Sequence, residues 1–162
     1  MATEESSKQP PATVADDNPG FLLPDLDDDD AALFWQGTAR GELLIQTCAE
    51  CGRRRMPPRP MCFACRSLRH AWKPVSGRGA IWSFVVPHPP LLPAYQAIAP
   101  YNVIVVQLAE DPSLRLVGNL LPRSGGTPNE IDPATIRIGE PVRVVFRRVG
   151  DVALPQWVRS ES

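Results

Sequence analysis

Histidine occurs only twice in this chain of 162 residues, and aromatic residues make up 7% of it. With His70 and His88 alone, histidine-based acid–base chemistry has little to draw on. No run of about 18 apolar residues is present, so no membrane-spanning helix is expected. The first twenty residues lack the basic start and apolar stretch of a secretory signal, which makes the cytoplasm the expected compartment. Neither a phosphate-cradling P-loop nor a G-x-G-x-x-G fingerprint occurs, and no internal repeat is visible.

Charge is close to balanced overall, at a formal −1, but it is unevenly placed. Residues 1–30 hold nine acidic side chains and one lysine, leaving nine acidic and sixteen basic ones in residues 31–162. The polar, proline-bearing stretch 1–24 reads as a disordered acidic tail, too poor in apolar groups to offset the entropy of ordering. Residues 25–42 read as a helical segment. Asp27, Asp28, Asp29 and Asp30 are placed to cap and charge its start, and Gly41 to end it in a left-handed turn. A cation site is the weaker reading of the aspartates, since no glycine turn spaces their oxygens.

Beyond residue 42 the chain is β in character. Runs at 43–47, 70–75, 79–88, 101–109, 114–121 and 141–150 are rich in valine, isoleucine and aromatics and are punctuated by glycine, proline and aspartate. The five runs after the last cysteine, with no helix-length segments between them, suit a small barrel of the OB type. Val103, Ile104, Val105 and Val106 are apolar on both faces and mark an inner strand. Gly77 and Gly79 allow a tight entry into the strand that follows. Trp72, Trp82 and Phe84 suit the core better than a base-stacking platform. The expected architecture is mostly β: an N-terminal helix, a rubredoxin-like zinc ribbon over 43–73, and a five-stranded OB-fold barrel over 74–158.

All four cysteines lie in two C-x-x-C pairs, Cys48/Cys51 and Cys62/Cys65, with ten residues between the pairs. One such turn presents two thiolates from a tight knuckle, and two facing knuckles complete a tetrahedron around Zn²⁺. Iron would accept the same ligands, as in an electron carrier, while disulfides are rare in the expected compartment. With four protein thiolates no coordination position stays open, so the metal is expected to be structural.

Arg53, Arg54, Arg55, Arg59, Arg66, Arg69 and Lys73 put seven basic residues within 21 positions. They solvate the ribbon and offset the negative thiolate cluster, or they form an anion-binding face. On charge alone Arg53, Arg55, Arg59 and Lys73 are candidate ligand contacts. Catalytic residues are not evident. The cysteines are committed to metal, His70 reads as a packing or surface residue and His88 as a loop surface residue, and Glu110, Asp111, Glu130, Asp132, Glu140 and Asp151 stand in turn-like contexts without forming an acid/base couple.

The order of 40-RGELLIQTCAECG-52, 57-PPRPMCFACRS-67, 72-WKPVSGRGAIWSF-84, Pro100-Tyr101, 117-VGNLL-121, 138-IGEPVRVVF-146 and 154-LPQW-157 resembles the zinc-ribbon and OB-fold family called domain of unknown function thirty-five. The resemblance spans about residues 25–158. It implies a partner subunit of thiolase-fold enzymes, such as acetoacetyl-CoA thiolase, hydroxymethylglutaryl-CoA synthase, or the lipid-transfer-protein-like aldolases acting on steroid side-chain CoA esters. In such assemblies the thiolase-like chain carries the chemistry, and this kind of chain helps to form the acyl-CoA site. Phe34 and Trp35, beyond anchoring the helix, are then candidate partner contacts. A single-stranded nucleic-acid-binding module is the alternative.

Overall fold

The protein is described by a computed structural model covering residues 20–160. The disorder expected for residues 1–19 falls outside the described residues, whereas Phe21 packs edge-on against Tyr95 with ring centroids 5.0 Å apart. A short helix, α1 (Ala32–Ala39), comes first. The aspartates do not cap it as expected. Ala31 occupies the N-cap with no side-chain hydrogen bond, and the Asp28 carbonyl accepts the Ala31 and Ala32 amides. The carboxylates of Asp25 and Asp28 instead accept amides two residues on, from Asp27 and Asp30, the local bonding that draws aspartate into turns. Gly41 follows the helix with φ of 80°, as its position suggested.

The first sheet is the ribbon. Strand β1 (Leu44–Cys48) stands between β2 (Arg54–Arg55) and β3 (His70–Pro74), both antiparallel to it. The run at 70–75 therefore belongs to the ribbon, with Leu44 opposite Pro74 and Cys48 opposite His70. Its place in the barrel is taken by a strand the sequence reading left unassigned, β9 (Val152–Arg159).

The barrel sheet also contains β4 (Arg78–Val85), β5 (Val103–Leu108), β6 (Arg115–Gly118), β7 (Leu120–Leu121) and β8 (Pro141–Val149), in the order β6-β5-β4-β8-β9-β7. β6 and β7 are the two halves of the single run 114–121, broken at Asn119. One half pairs with β5 and the other, in parallel, with β9, so the chain passes directly from one edge of the sheet to the other. That step closes the barrel and accounts for five strand runs in a sheet of six strands. Where β4 crosses β5, a Cβ on Gly79 would collide with the Gln107 carbonyl oxygen, so the close approach requires glycine. A one-turn helix, α2 (Pro93–Gln96), and two 3-10 turns, Pro128–Glu130 and Pro133–Thr135, sit on the long loops.

The two sheets share one core. Phe34 from α1 and Leu43 and Ile45 beside or within β1 pack in the same buried cluster as Ile81, Ile104, Val106 and Trp157 from the barrel. Burying a side chain such as Phe34 contributes about 2–3 kcal/mol. Among the described residues no helix is long and apolar enough to cross a membrane.

Candidate metal centre and arginine cleft

The cysteine pairs occupy two turns of the same design. In the first, Gly52 donates its amide to the Cys48 carbonyl (3.1 Å) and takes a φ of 72°; in the second, Arg66 donates to Cys62 (2.8 Å) with φ of 61°. Each turn is closed by a further amide: Cys48 to the Arg53 carbonyl, and Cys62 to that of Ser67, both 2.9 Å. β1 ends on Cys48 and the turn to β2 carries Cys51, and the ladders from β1 to β2 and β3 fix this knuckle.

The four sulfurs lie within 4.8 Å of one another, with Cys48 Sγ 3.5 Å from Cys65 Sγ and Cys51 Sγ 3.7 Å from Cys62 Sγ. Metal–sulfur bonds of about 2.3 Å in a tetrahedron place sulfurs about 3.8 Å apart, so this spacing suits a tetrahedral four-thiolate metal site. Cys48 and Cys62 are buried, Cys51 and Cys65 exposed. Backbone amides of Cys65 and Ala64 draw the Cys62 thiol down to about 6. The Ser67 amide pulls Cys65 the same way, but the crowding of the Cys48, Cys51 and Cys62 sulfurs and burial outweigh it, and Cys65 is pushed up to about 12. Four like charges at this distance cannot all form without a cation to hold them.

Against the ribbon lies a cleft of about 260 Å³ bordered by Arg53, Arg54, Arg55, Arg59 and Phe63, and it continues into a larger one reached by Lys73 and Asp111. The four basic residues singled out from sequence are thus brought to one side of the molecule. Their states differ. Arg53 and Arg59 are exposed, the Arg53 guanidinium lying 5.1 Å from the centre of the Phe63 ring. Arg55 is buried, at 3% exposure. Arg54 was not among the candidates, yet it joins ribbon to barrel by donating from Nη1 to the Glu110 carbonyl (3.1 Å).

Glu110 completes this joint by accepting the Ser76 amide on Oε1 (2.6 Å). Burial would raise its carboxyl, but the Ser76 hydrogen bonds and the Arg54 charge prevail and hold it below the usual range. Asp111 is lowered too, chiefly by the Ser113 hydroxyl and amide. Both carboxylates are used as hydrogen-bond acceptors in turns, the context in which they were read. His70 and His88 are exposed, His70 with Nδ1 at 3.2 Å from the Leu68 carbonyl.

Two aromatic expectations change. Phe34 is 6% exposed and meets Trp35 edge-to-face at 4.8 Å, so it is an anchor buried in the core and presents no surface to a partner. Trp35 keeps a half-exposed face. Trp82 is not core: it is 47% exposed and the Arg115 guanidinium lies 3.8 Å from its ring centre. The bulge between Ile81 and Ser83 turns it outward, a feature that alternation in sequence does not reveal. Trp72 and Phe84 do pack, half-buried, on the core.

Comparison with known proteins agrees with this division of the chain. Residues 35–71 match the family described as ChsH2, rubredoxin-like zinc ribbon domain, and residues 72–147 match ChsH2, C-terminal OB-fold domain. A 3-oxo-4,17-pregnadiene-20-carboxyl-CoA hydratase alpha subunit of Mycobacterium tuberculosis is 34% identical over 93% of this chain; the chain spans 45% of that protein's length. A DUF35 domain-containing scaffold protein of Methanothermobacter thermautotrophicus is 33% identical over 68% of this chain and 75% of its own. Among solved structures, a chain of an Ltp2-ChsH2(DUF35) aldolase superposes with a TM-score of 0.70 and 32% identity, over 82% of this chain and 95% of that one. With a four-cysteine ribbon, an OB barrel and relatives of this extent, the chain belongs to the DUF35 family.

Proposed function

We propose that this protein is a non-catalytic accessory subunit of a thiolase-like acyl-CoA enzyme, acting in the cytoplasm and helping to form that enzyme's acyl-CoA site. One observation carries the reading: the near-complete correspondence to the chain from the Ltp2-ChsH2(DUF35) aldolase. In this reading the helical segment 25–42, the ribbon 43–73 and the barrel 74–158 act as one scaffold. Zn²⁺ held by Cys48, Cys51, Cys62 and Cys65 cross-links the two knuckles and does no chemistry on substrate. Arg53, Arg55, Arg59 and Lys73 present positive charge toward the acyl-CoA, and the half-exposed Trp35 faces the partner. The chain offers that partner walls and charge, and the partner supplies nucleophile and acid/base groups.

The relationship to a hydratase alpha subunit favours a second reading, in which the partner is an enoyl-CoA hydratase. Both readings place the ribbon and barrel beside a CoA ester, and the pregnadiene-carboxyl-CoA named for the related hydratase points to a steroid-like acyl group. Affinity purification of the tagged full chain from its native cells distinguishes them. A thiolase-like enzyme recovered in near-equimolar amount, whose activity on acyl-CoA falls when this chain is omitted, is the expected result. A hydratase in its place selects the second reading. Recovery of nucleic acid with neither enzyme would overturn both.

A further inference from the structure

Arg55 is an anomaly in electrostatic terms. It sits in β2 directly opposite Gln46 of β1, and both side chains are buried. None of its three guanidinium nitrogens, Nε, Nη1 or Nη2, has a hydrogen-bond partner. Arginine keeps its charge at any accessible pH, so burial does not neutralise it. A buried, unpaired charge is among the most costly groups a fold can carry.

The neighbours do not relieve it: Gln46 Oε1 accepts the Arg59 amide (3.0 Å) and the Ser113 hydroxyl donates to Asp111 (2.7 Å), and neither bonds Arg55. Four arginines border the 260 Å³ cleft that Arg55 lines, and no carboxylate does. Asp111 lies in the adjoining cleft, on the side toward Lys73 and Cys51.

We infer that Arg55 forms the floor of an oxyanion site for a phosphate group, with Arg53, Arg54 and Arg59 around its mouth. A planar guanidinium with five N–H donors matches the oxygens of a phosphate in paired, charge-assisted hydrogen bonds. Glu110 and Asp111 offset Arg54 and Arg53, leaving Arg55 and Arg59 without a carboxylate, and two such cations favour a phosphate over a singly charged carboxylate. The Phe63 ring on the cleft's rim can shield the bound anion from solvent. The site stands on these observations alone; only its assignment to the phosphates of a CoA ester rests on the function proposed above.

The test uses the zinc-loaded full chain in phosphate-free buffer, titrated calorimetrically with inorganic phosphate, diphosphate and adenosine 3′,5′-bisphosphate against chloride at matched ionic strength. Saturable binding is expected, with affinity about tenfold or more lower in Arg55→Met. That variant should keep its zinc and, without anion, melt at or above the wild-type temperature, because it removes an uncompensated charge. Tighter binding of the adenosine bisphosphate than of diphosphate assigns the anion to a CoA ester. The reverse order assigns it to free phosphate, and either order supports the site. No saturable binding to the wild type, or equal affinity in Arg55→Met, overturns it. Should Arg55→Met not fold, the double variant Arg53→Gln/Arg59→Gln, altered at two exposed positions, replaces it; affinity unchanged there overturns the proposal as well.

Discussion

Asn102 carries more of the barrel than its one amide side chain would suggest. It is fully buried, and its Nδ2 donates to the carbonyls of Leu120 and Pro128, both at 2.9 Å, while its Oδ1 accepts the Leu120 amide at 2.7 Å. Asn119 donates in return to the Asn102 carbonyl. These bonds hold the point where β6 ends and β7 begins, the step that closes the sheet. Asn102→Leu has nearly the same volume but strands an amide and two carbonyls away from water. It should cost about 2–4 kcal/mol in urea unfolding; a loss under about 1 kcal/mol would mean that closure does not depend on this side chain. Sequence offered no signal here. Asn102 stands near the start of the run 101–109 read as a strand, and nothing in sequence tells an asparagine bonded to distant backbone from one bonded to its own. Arg55 is a candidate contact on charge alone, but nothing among six other basic residues marks it as the buried one without a partner. The four cysteines were legible because metal ligation fixes both residue type and spacing.

At the scale of elements, the knuckles show how one backbone shape can be written by two residues. Gly52 and Arg66 occupy equivalent left-handed positions, but only the first is cheap for its residue. Space around Gly52 is open, so a methyl group there meets nothing and only backbone strain is felt. Gly52→Ala should therefore destabilise by about 1 kcal/mol, and Arg66→Gly should be neutral or stabilising by a few tenths to about 1 kcal/mol. Paired melts of the zinc-loaded variants check this; a destabilised Arg66→Gly would show that the guanidinium contributes more than the backbone strain costs. Strand prediction succeeded where valine and isoleucine cluster, as in β4, β5 and β8, and failed at β9. There 152-VALPQWVR-159 contains a proline and a glutamine, which argue against an inner strand. Pro155 is tolerated because β9, paired with β8 along its whole length, meets β7 on its other side only over Trp157 and Val158, so no β7 ladder runs beside the proline. Trp157, fully buried, then becomes a large part of the core.

For the whole molecule the decisive fact is that ribbon and barrel are not independent. Leu43, Ile45 and Phe34 lie in the barrel's own hydrophobic cluster, and Arg54 and Ser76 tie the two parts together through Glu110. Metal binding to the cysteines is therefore expected to stabilise the barrel through this joint, since site formation and folding share one free energy. Removing the metal with a chelator at neutral pH should expose the amides of β1 and β3 to hydrogen exchange first, and should lower the unfolding temperature of the barrel as well. Cys62→Ala should reproduce both effects and weaken recovery of the enzyme partner. Acid should act in the same direction. Each sulfur binds as thiolate, so protons compete with the metal, and affinity falls as pH falls. Cys65, pushed up to about 12 in the absence of metal, must give up its proton on binding even at neutral pH, while Cys62, drawn down to about 6, keeps its thiolate until the pH falls to about that value. Metal release, followed with a chromogenic chelator, should therefore steepen below about pH 6 and carry the loss of ribbon protection with it. Amide protection of β1 that survives complete metal loss would show that the shared core alone holds the ribbon, and the metal would then have to be sought a role at the partner's surface.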